Sequence, residues 1–228
     1  MSSDWGYKPH GHRGVGAMPD ANSTVLVIDD DPDLRASVGR LLRSLGQDAH
    51  LFASISDFLK FDPPDGPTCL VLDVRLPGQS GLDLQRELAA ANRELPIIFI
   101  TGHGDIPMSV QAMKGGAIEF LTKPFRDQEL LDAIQLGLSR DRARQKDEKA
   151  LAAIRGRFET LSSREREIMI QVAMGRLSKQ IAGDLGIAEA TVKVHRSRAM
   201  HKIKVRSLAE FVRMADKLKL VPEEPQHS

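Results

Sequence analysis

The chain has 228 residues, 28% of them charged, and a formal net charge of +1 at pH 7. Its one cysteine excludes an intramolecular disulfide, and no apolar stretch approaches the ~20 residues that a membrane-spanning helix needs. We therefore expect a cytoplasmic protein, and the length fits one large domain or two small ones.

The near-neutral total hides a strong difference between the two halves of the chain. Residues 24–138 carry 17 acidic and 10 basic side chains, a net charge of −7, whereas residues 139–159 carry +3 and residues 160–228 carry +5. An acidic unit suits a cation site, and a basic unit suits a polyanionic partner. The charge asymmetry therefore favours two domains.

The N-terminal half begins with a tail and continues with alternating strands and helices. Residues 1–23 are rich in Gly, Ser, His and Pro, which predicts a disordered N-terminal tail. From there to residue 138, apolar runs alternate with amphipathic segments, which predicts an α/β fold with a parallel sheet. In the flavodoxin-like order of such a sheet, the first and third strands would be neighbours. Asp31 and Pro32 are expected to cap and begin the first helix. Later helices are predicted near Ser56–Phe61, Leu82–Ala91, Pro107–Lys114 and from Asp127 onward.

Polar side chains follow the apolar runs that predict four of the strands. They are Asp29 and Asp30 after the first run, Asp73 after the next, and Thr101 and Lys123 after two later ones. Because ligands bind at the carboxyl ends of parallel strands, we expect these five side chains in one pocket. The group suits Mg²⁺ and a phosphoryl group, with Asp73 as the nucleophile. Lys123 would neutralise charge on the transferring group, and the Thr101 hydroxyl would donate to a phosphate oxygen.

The C-terminal half is predicted to be helical throughout. Residues 139–150 are almost continuously charged and lack both glycine and proline, which predicts a solvated helical linker that extends to residue 159. After residue 160 the strand pattern ends, and Ser162 and Glu165 form a capping box for the next helix. Further helices are predicted from a cap at Ser178 to Gly186, over Thr191–Ile203 and over Leu208–Leu218.

Two short helices joined across Gly186 form a helix-turn-helix pattern that spans Ser178 to Ser197. The second helix is basic, and we expect its N-terminal half to enter the major groove of DNA. The predicted base contacts are Lys193, Val194 and Ser197. The predicted phosphate contacts, which hold register rather than read sequence, are Lys179, Thr191, Arg198 and Lys202. The residues predicted to face the core are Val192, Ala199 and Ile203.

Residues 25–138 resemble the receiver domain of two-component response regulators. The matching segments are Val27-Ile28-Asp29-Asp30-Asp31, Leu72-Asp73-Val74-Arg75-Leu76-Pro77-Gly78, Ile100-Thr101-Gly102-His103-Gly104-Asp105 and Lys123-Pro124-Phe125. The resemblance implies a five-stranded CheY-like fold in which Asp73 accepts a phosphoryl group from a sensor histidine kinase. No other catalytic activity is implied beyond the loss of that same group.

The receiver resemblance also implies roles for residues around the phosphoacceptor. Asp30 would bind Mg²⁺ directly, Asp29 mainly through water, and Arg75 through its backbone carbonyl, together with Asp73. Phe120 falls where receivers carry a switch aromatic that follows the threonine hydroxyl, although a plain core phenylalanine fits the residues nearly as well. The Lys123-Pro124 peptide bond is expected to be cis.

Residues 161–219 resemble the LuxR-type helix-turn-helix domain. The matching segments are Leu161-Ser162-Ser163-Arg164-Glu165-Arg166-Glu167 and Thr191-Val192-Lys193-Val194-His195-Arg196-Ser197. The two resemblances together indicate a regulator of the FixJ/NarL type, with a receiver at 24–138, a linker at 139–159, a DNA-binding domain at 160–220 and a tail at 221–228. They imply a homodimer on paired promoter half-sites when phosphorylated, with RNA polymerase as a possible further partner. Where this family commonly has a capping serine, the chain has Ala188, which costs about 1 kcal/mol.

Two other functions stay open at this point. A constitutive DNA-binding regulator would carry a receiver on which phosphorylation has no effect. An aspartyl-phosphate phosphatase is less favoured, because such enzymes usually have a second acid two residues after the nucleophile, where this chain has Arg75.

Overall fold

The computed structural model describes residues 22–102 and 106–220. The chain forms two compact units, which divide between Arg142 and Ala143. Within the described ranges, every helix is too short or too polar to span a bilayer.

Both predicted tails fall almost entirely outside the described residues, as do His103, Gly104 and Asp105 of the third matching segment. Ser23 is an exception. It is buried, and its hydroxyl donates a hydrogen bond to the side chain of Gln47 at 3.3 Å. Ser23 therefore belongs to the folded unit rather than to the predicted tail.

The first unit is built on a parallel sheet. Its strands are β1 (Thr24–Ile28), β2 (Asp48–Phe52), β3 (Thr68–Asp73), β4 (Ile97–Thr101) and β5 (Glu119–Thr122). They lie in the order β2-β1-β3-β4-β5, and each neighbouring pair is parallel. The flavodoxin-like order is therefore confirmed. In such a sheet the strand order reverses beside β1, which opens a crevice at the carboxyl ends of β1 and β3.

Helices cover both faces of this sheet, and their bounds follow local signals. They are α1 (Pro32–Ser44), α2 (Ile55–Phe58), α3 (Gly81–Ala90), α4 (Ile106–Lys114) and α5 (Asp127–Glu159). At the start of α1, the Asp31 carboxylate accepts a hydrogen bond from the Asp33 N–H at 2.9 Å, and Pro32 occupies the first turn, as predicted.

The second helix is shorter than the sequence predicts. The Ser54 hydroxyl caps it, and it ends at Phe58 rather than at Phe61. The Phe61 ring lies 5.3 Å from the ring of Phe52 on β2, so the last apolar residue of the run packs on the sheet edge from outside the helix. Apolar spacing alone does not distinguish these two arrangements.

The central strands are buried on both faces, which explains their continuous apolar sequence. Leu26, Leu70 and Phe99 belong to one core layer, and Val25 and Val71 belong to the layer on the opposite face. Strand β2 differs, because it lies at the edge of the sheet and none of its side chains is fully buried.

The second unit is all α-helical. It comprises the C-terminal part of α5 and the helices α6 (Ser163–Ala173), α7 (Ser178–Leu185), α8 (Glu189–Lys202) and α9 (Leu208–Lys217). Their apolar faces form one core, which includes Phe158, Ile168, Ile181, Val192 and Phe211. Together with the parallel sheet, this confirms the predicted fold class.

The caps in the second unit match the sequence with one exception. The Ser162 and Glu165 capping box is present, and Gly186 ends α7 in the left-handed conformation with φ of 62°. The predicted cap at Ser178 is wrong, because the chain turns helical one residue earlier. Leu177 is the N-cap, and its N–H donates to the side-chain oxygen of Gln180 at 2.9 Å.

Candidate functional site

The carboxyl ends of the strands bring the predicted pocket residues together. The side-chain oxygens of Asp29, Asp30 and Asp73 lie within 4.8 Å of one another. Asp29 and Asp73 are buried, whereas Asp30 is exposed. Three carboxyl groups from two neighbouring strand ends therefore face one point at the crevice of the sheet.

Lys123 connects these strand ends. Its ammonium lies 2.6 Å from an oxygen of Asp29 and 2.6 Å from an oxygen of Asp73, and it donates a hydrogen bond to each. The Lys123 N–H also donates to the Thr101 carbonyl at 2.7 Å, which fixes the backbone at the end of β5. One cation is thus shared by two carboxyl groups that are 44 residues apart in the sequence.

Backbone N–H groups hold the other oxygen of each buried carboxyl group. The Asp31 N–H donates to Asp29 at 2.9 Å, and the Arg75 N–H donates to Asp73 at 2.9 Å. Each side chain is therefore fixed at both oxygens before any ligand binds. Such preorganisation suits electrostatic catalysis, because no dipoles have to turn during the reaction.

Burial and hydrogen bonding act in opposite directions on the pKa values of the pocket. Burial raises the pKa of Asp29, although Lys123 and the Asp31 N–H act to lower it. For Lys123, burial acts to lower the pKa, but hydrogen bonds to Asp29 and Asp73 outweigh burial and the pKa is raised. The ammonium therefore stays charged, and it faces two carboxyl groups.

The donor set fits Mg²⁺. All three side chains offer oxygen, the ligand atom that this hard cation prefers. The exposed Asp30 leaves the solvent side of the pocket open, which accommodates the water ligands that Mg²⁺ retains. A divalent cation would also neutralise the negative charge that Lys123 alone leaves uncompensated.

The remaining residues of the prediction lie beside the pocket. Thr101 is fully buried at the end of β4. Phe120 is half-buried on β5, and its ring centre lies 6.3 Å from that of Phe99. The Lys123-Pro124 peptide bond is cis, as predicted.

Two residues at the pocket were missed from the sequence. Arg35 on α1 donates to the Asp29 backbone carbonyl at 2.6 Å, and it lies four residues after the Asp31 cap. Gly81 begins α3 where a Cβ atom would clash with the backbone carbonyl oxygen of Asp73. Arg35 could have been predicted from its position one turn into the helix. Nothing in the sequence around Gly81, other than the glycine itself, indicates its role.

In the second unit, α7 and α8 carry the predicted DNA contacts. All seven of these side chains are exposed, namely Lys179, Thr191, Lys193, Val194, Ser197, Arg198 and Lys202. Val192, Ala199 and Ile203, predicted for the core, are completely buried. Helix α8 therefore presents its apolar face to the core and its predicted contact residues to solvent.

Two of the predicted contact residues form ion pairs. The Lys193 ammonium lies 2.7 Å from Glu189 one turn earlier, and both side chains are exposed. The Lys202 ammonium lies 2.7 Å from the buried carboxylate of Glu165 on α6. An exposed pair contributes little and opens easily, whereas a pair with one buried partner is costly to break.

Neither helix of the helix-turn-helix has a side-chain cap at its first turn. Ala188 is the N-cap of α8 and Leu177 is the N-cap of α7, and neither accepts a hydrogen bond. By contrast, the Ser207 hydroxyl caps α9 by accepting from the Glu210 N–H at 3.1 Å. The poor cap at Ala188 is confirmed.

Comparison with known proteins finds two family models in the chain. Residues 25–135 match the response regulator receiver domain, and residues 159–215 match the luxR family of bacterial regulatory proteins. The chain is 51% identical to nodulation protein W of Bradyrhizobium diazoefficiens over 208 residues, which cover 90% of this chain and 92% of that protein.

Solved structures agree with these family matches. The response regulator StyR is 48% identical with a TM-score of 0.74, covering 86% of this chain and 99% of that structure. Full-length FixJ from B. japonicum is 37% identical with a TM-score of 0.52, covering 87% of this chain and 98% of that structure. Both similarities extend over the two units of the chain.

Proposed function

The chain belongs to the response regulators that join a receiver domain to a LuxR-type DNA-binding domain, and from this premise we propose that phosphorylation of Asp73 controls its action on promoter DNA. The observation that carries the proposal is the ammonium of Lys123, which lies 2.6 Å from both Asp29 and Asp73. This ammonium, at the end of β5, lies in one pocket with the predicted nucleophile Asp73 and with Asp29 and Asp30. We call these three aspartates the acidic cluster.

The donor in this proposal is the phosphohistidine of a sensor kinase, the partner that a receiver domain implies. An oxygen of Asp73 forms a bond to phosphorus, and the P–N bond to the kinase histidine breaks with its electron pair left on nitrogen. Lys123 neutralises charge on the phosphoryl oxygens during transfer. The Thr101 hydroxyl then donates to an oxygen of the attached group.

We assign the Mg²⁺ ligands to the acidic cluster and to the Arg75 carbonyl. Mg²⁺, when bound, offsets the charge of the incoming phosphoryl group and of the carboxylates that face it. The proximity of the three carboxyl groups supports this assignment.

Attachment of the phosphoryl group is proposed to shift the receiver between two conformations. Thr101 and Phe120 are the switch residues in this proposal, because they lie on the adjacent strands β4 and β5. The shifted state favours a homodimer that binds paired half-sites.

We assign the receiver to 24–138, the linker to 139–159 and the DNA-binding domain to 160–220. We propose a cytoplasmic location, because promoter DNA lies there.

The DNA contacts are proposed on the exposed side of α8. Lys193, Val194 and Ser197 read base edges. The residues that hold phosphates are Thr191, Arg198 and Lys202, together with Lys179 on α7. The pair between Lys193 and Glu189 does not oppose this role, because both side chains are exposed and a solvent-screened pair of this kind opens easily.

Phosphate incorporation tests the receiver half of the proposal. The full chain, incubated with a small-molecule phosphodonor and Mg²⁺, should gain one base-labile phosphoryl group, and a chelator should prevent the gain. Asp73→Asn should abolish incorporation, whereas Asp48→Asn, an exposed aspartate at the start of β2, should not. Labelling of Asp73→Asn at the wild-type level would reject Asp73 as the acceptor.

DNA binding tests the other half and separates the alternatives. Genome-wide mapping of bound DNA, with and without phosphodonor, would supply a cognate site. On that site, Lys193→Ala should lose more affinity than on random DNA, whereas Arg198→Ala should lose similar affinity on both. Binding that Asp73→Asn leaves unchanged would favour a constitutive regulator, and turnover of small phosphate esters would favour a phosphatase.

A further inference from the structure

The part of α5 in the second unit has a face on which every charged side chain is basic. With 3.6 residues per turn, Lys146, Lys149 and Arg157 lie within about 80° of arc around the helix. All three are exposed. We call these three residues the basic face. Only small residues separate the cations along it, namely Ala150, Ala153 and Gly156.

The acidic residues of this segment lie elsewhere on the helix. Asp147, Glu148 and Glu159 project about 120° or more from the centre of the basic face. Glu148 pairs with Arg144 at 2.7 Å, on the far side from the basic face. No carboxylate among residues 22–102 and 106–220 forms an ion pair with a member of the basic face.

Packing fixes which way the basic face points. Leu151, Ile154 and Phe158, on the other side of α5, contact the core of the second unit. Because this apolar side is held against the core, the basic face is directed away from it. The charge there is uncompensated and is presented to solvent by a helix that cannot rotate freely.

Gly156 provides an independent observation on the same face. A glycine inside a helix costs about 1 kcal/mol relative to alanine. Apart from its chain neighbours and the backbone of its own helix, a Cβ atom at Gly156 would meet no heavy atom within 4 Å, so packing does not require glycine there. A partner that approaches the backbone of α5 closely would favour it.

We propose that the basic face binds the phosphate backbone of DNA, an inference that rests on the proposed DNA-binding function. DNA is the partner that matches the charge best, because B-DNA carries one negative charge per ~1.7 Å of its axis. Lys146 and Arg157 are eleven residues apart, or about 16 Å along the helix. That span can follow several phosphates. These contacts add affinity and lengthen the occupied DNA, and they read no bases.

Salt dependence of DNA binding tests this inference. The probe is a 40-base-pair duplex of mixed sequence, titrated with the full-length chain at several salt concentrations in the presence of Mg²⁺ and a phosphodonor. The test variant is Lys146→Gln with Lys149→Gln. The matched control is Arg144→Gln with Arg155→Gln, which removes the same charge from the same helix but on the side away from the basic face.

The test variant should bind at least tenfold more weakly at low salt, and the slope of log affinity against log salt should fall by about 1–2, since each lost phosphate contact contributes about 0.9. The control should retain the wild-type slope. Equal slopes for wild type and the test variant overturn the inference. So does a loss confined to self-association, which would assign the basic face to the acidic unit of a second copy. A wild-type chain that binds no DNA would instead overturn the proposed function.

Discussion

The Lys202 ammonium lies 2.7 Å from the Glu165 carboxylate, so an ion pair joins the end of α8 to the first turn of α6. The same Glu165 carboxylate accepts from the Ser162 N–H at 2.9 Å as part of the capping box. A side chain predicted to contact phosphate therefore already has a buried partner. This pair fixes where α8 lies against the rest of its unit.

Breaking this pair from the lysine side should destabilise the protein. Lys202→Met leaves the buried Glu165 carboxylate without its cation, and we expect a loss of about 1–2 kcal/mol in the free energy of unfolding, since Lys202 is partly exposed. Adding Glu165→Gln should recover most of that loss. Urea unfolding followed by circular dichroism measures both changes. If the double variant regains stability but still binds DNA weakly, Lys202 also contacts phosphate.

The same carboxylate gives a pH dependence of known sign. The hydrogen bond from Lys202, followed by that from the Ser162 N–H, lowers the pKa of Glu165 from 4.5 to about 2. A group whose pKa is depressed by folding contributes stability above its unfolded pKa and loses it as the pH falls through its folded pKa. Wild type should therefore lose stability between about pH 4.5 and 2 more steeply than Glu165→Gln. Parallel curves would show that Glu165 is not ionised in this pair.

Supplying the missing cap at α8 should stabilise the second unit. Ala188→Ser introduces a hydroxyl that can accept a backbone N–H in the first turn, which is worth about 1 kcal/mol. Ser207→Ala removes the corresponding cap from α9 and should cost a similar amount. Chemical denaturation of the two variants should shift the unfolding midpoint in opposite directions.

Two glycines in α5 should respond oppositely to alanine. Gly156→Ala should raise the free energy of unfolding by about 0.5–1 kcal/mol, because the new methyl group meets only solvent. Gly137→Ala should lower it, because a Cβ atom there would lie 2.5 Å from the Cys69 sulfur. Thermal denaturation compares them directly, and a destabilised Gly156→Ala would indicate a packing contact over that face.

Removing the shared ammonium should change the response to Mg²⁺. Lys123→Gln deletes the cation that lies between Asp29 and Asp73, so the metal-free protein should melt at a lower temperature. Added Mg²⁺ should then raise its Tm more than it raises that of wild type, because the cluster has lost a competing positive charge. Phosphate incorporation should nevertheless fall. Asp30→Asn is the control, and its Tm should respond less to Mg²⁺ than that of wild type.

How far the sequence reveals this molecule depends on burial. Strands β1, β3 and β4 are predictable because both faces are buried and their residues are apolar throughout. Strand β2 is harder to recognise, because it lies at the sheet edge and mixes polar with apolar side chains. Its presence follows from the sheet order implied by the family rather than from its own residues.

The site shows a similar division. The carboxyl ends of parallel strands predict that Asp29, Asp73 and Lys123 share a pocket, and the structure brings these three together. Distances and pairings between helices are not encoded in local spacing. The pair between Lys202 and Glu165 joins residues 37 positions apart, and no periodic pattern connects them.

Gly81 shows how a reaction can be lost without any change to its chemical groups. A methyl group at the start of α3 would press on the carbonyl of Asp73, and the strand end would have to move. A descendant of this protein with alanine at position 81 would keep all three aspartates, the lysine and the threonine. Its phosphoacceptor carboxylate would nevertheless be displaced from the position in which the kinase phosphohistidine can reach it. A comparison that counts only the reactive side chains would classify such a protein as functional. The steric clash beside the aspartate would have to be considered to recognise that phosphorylation is lost.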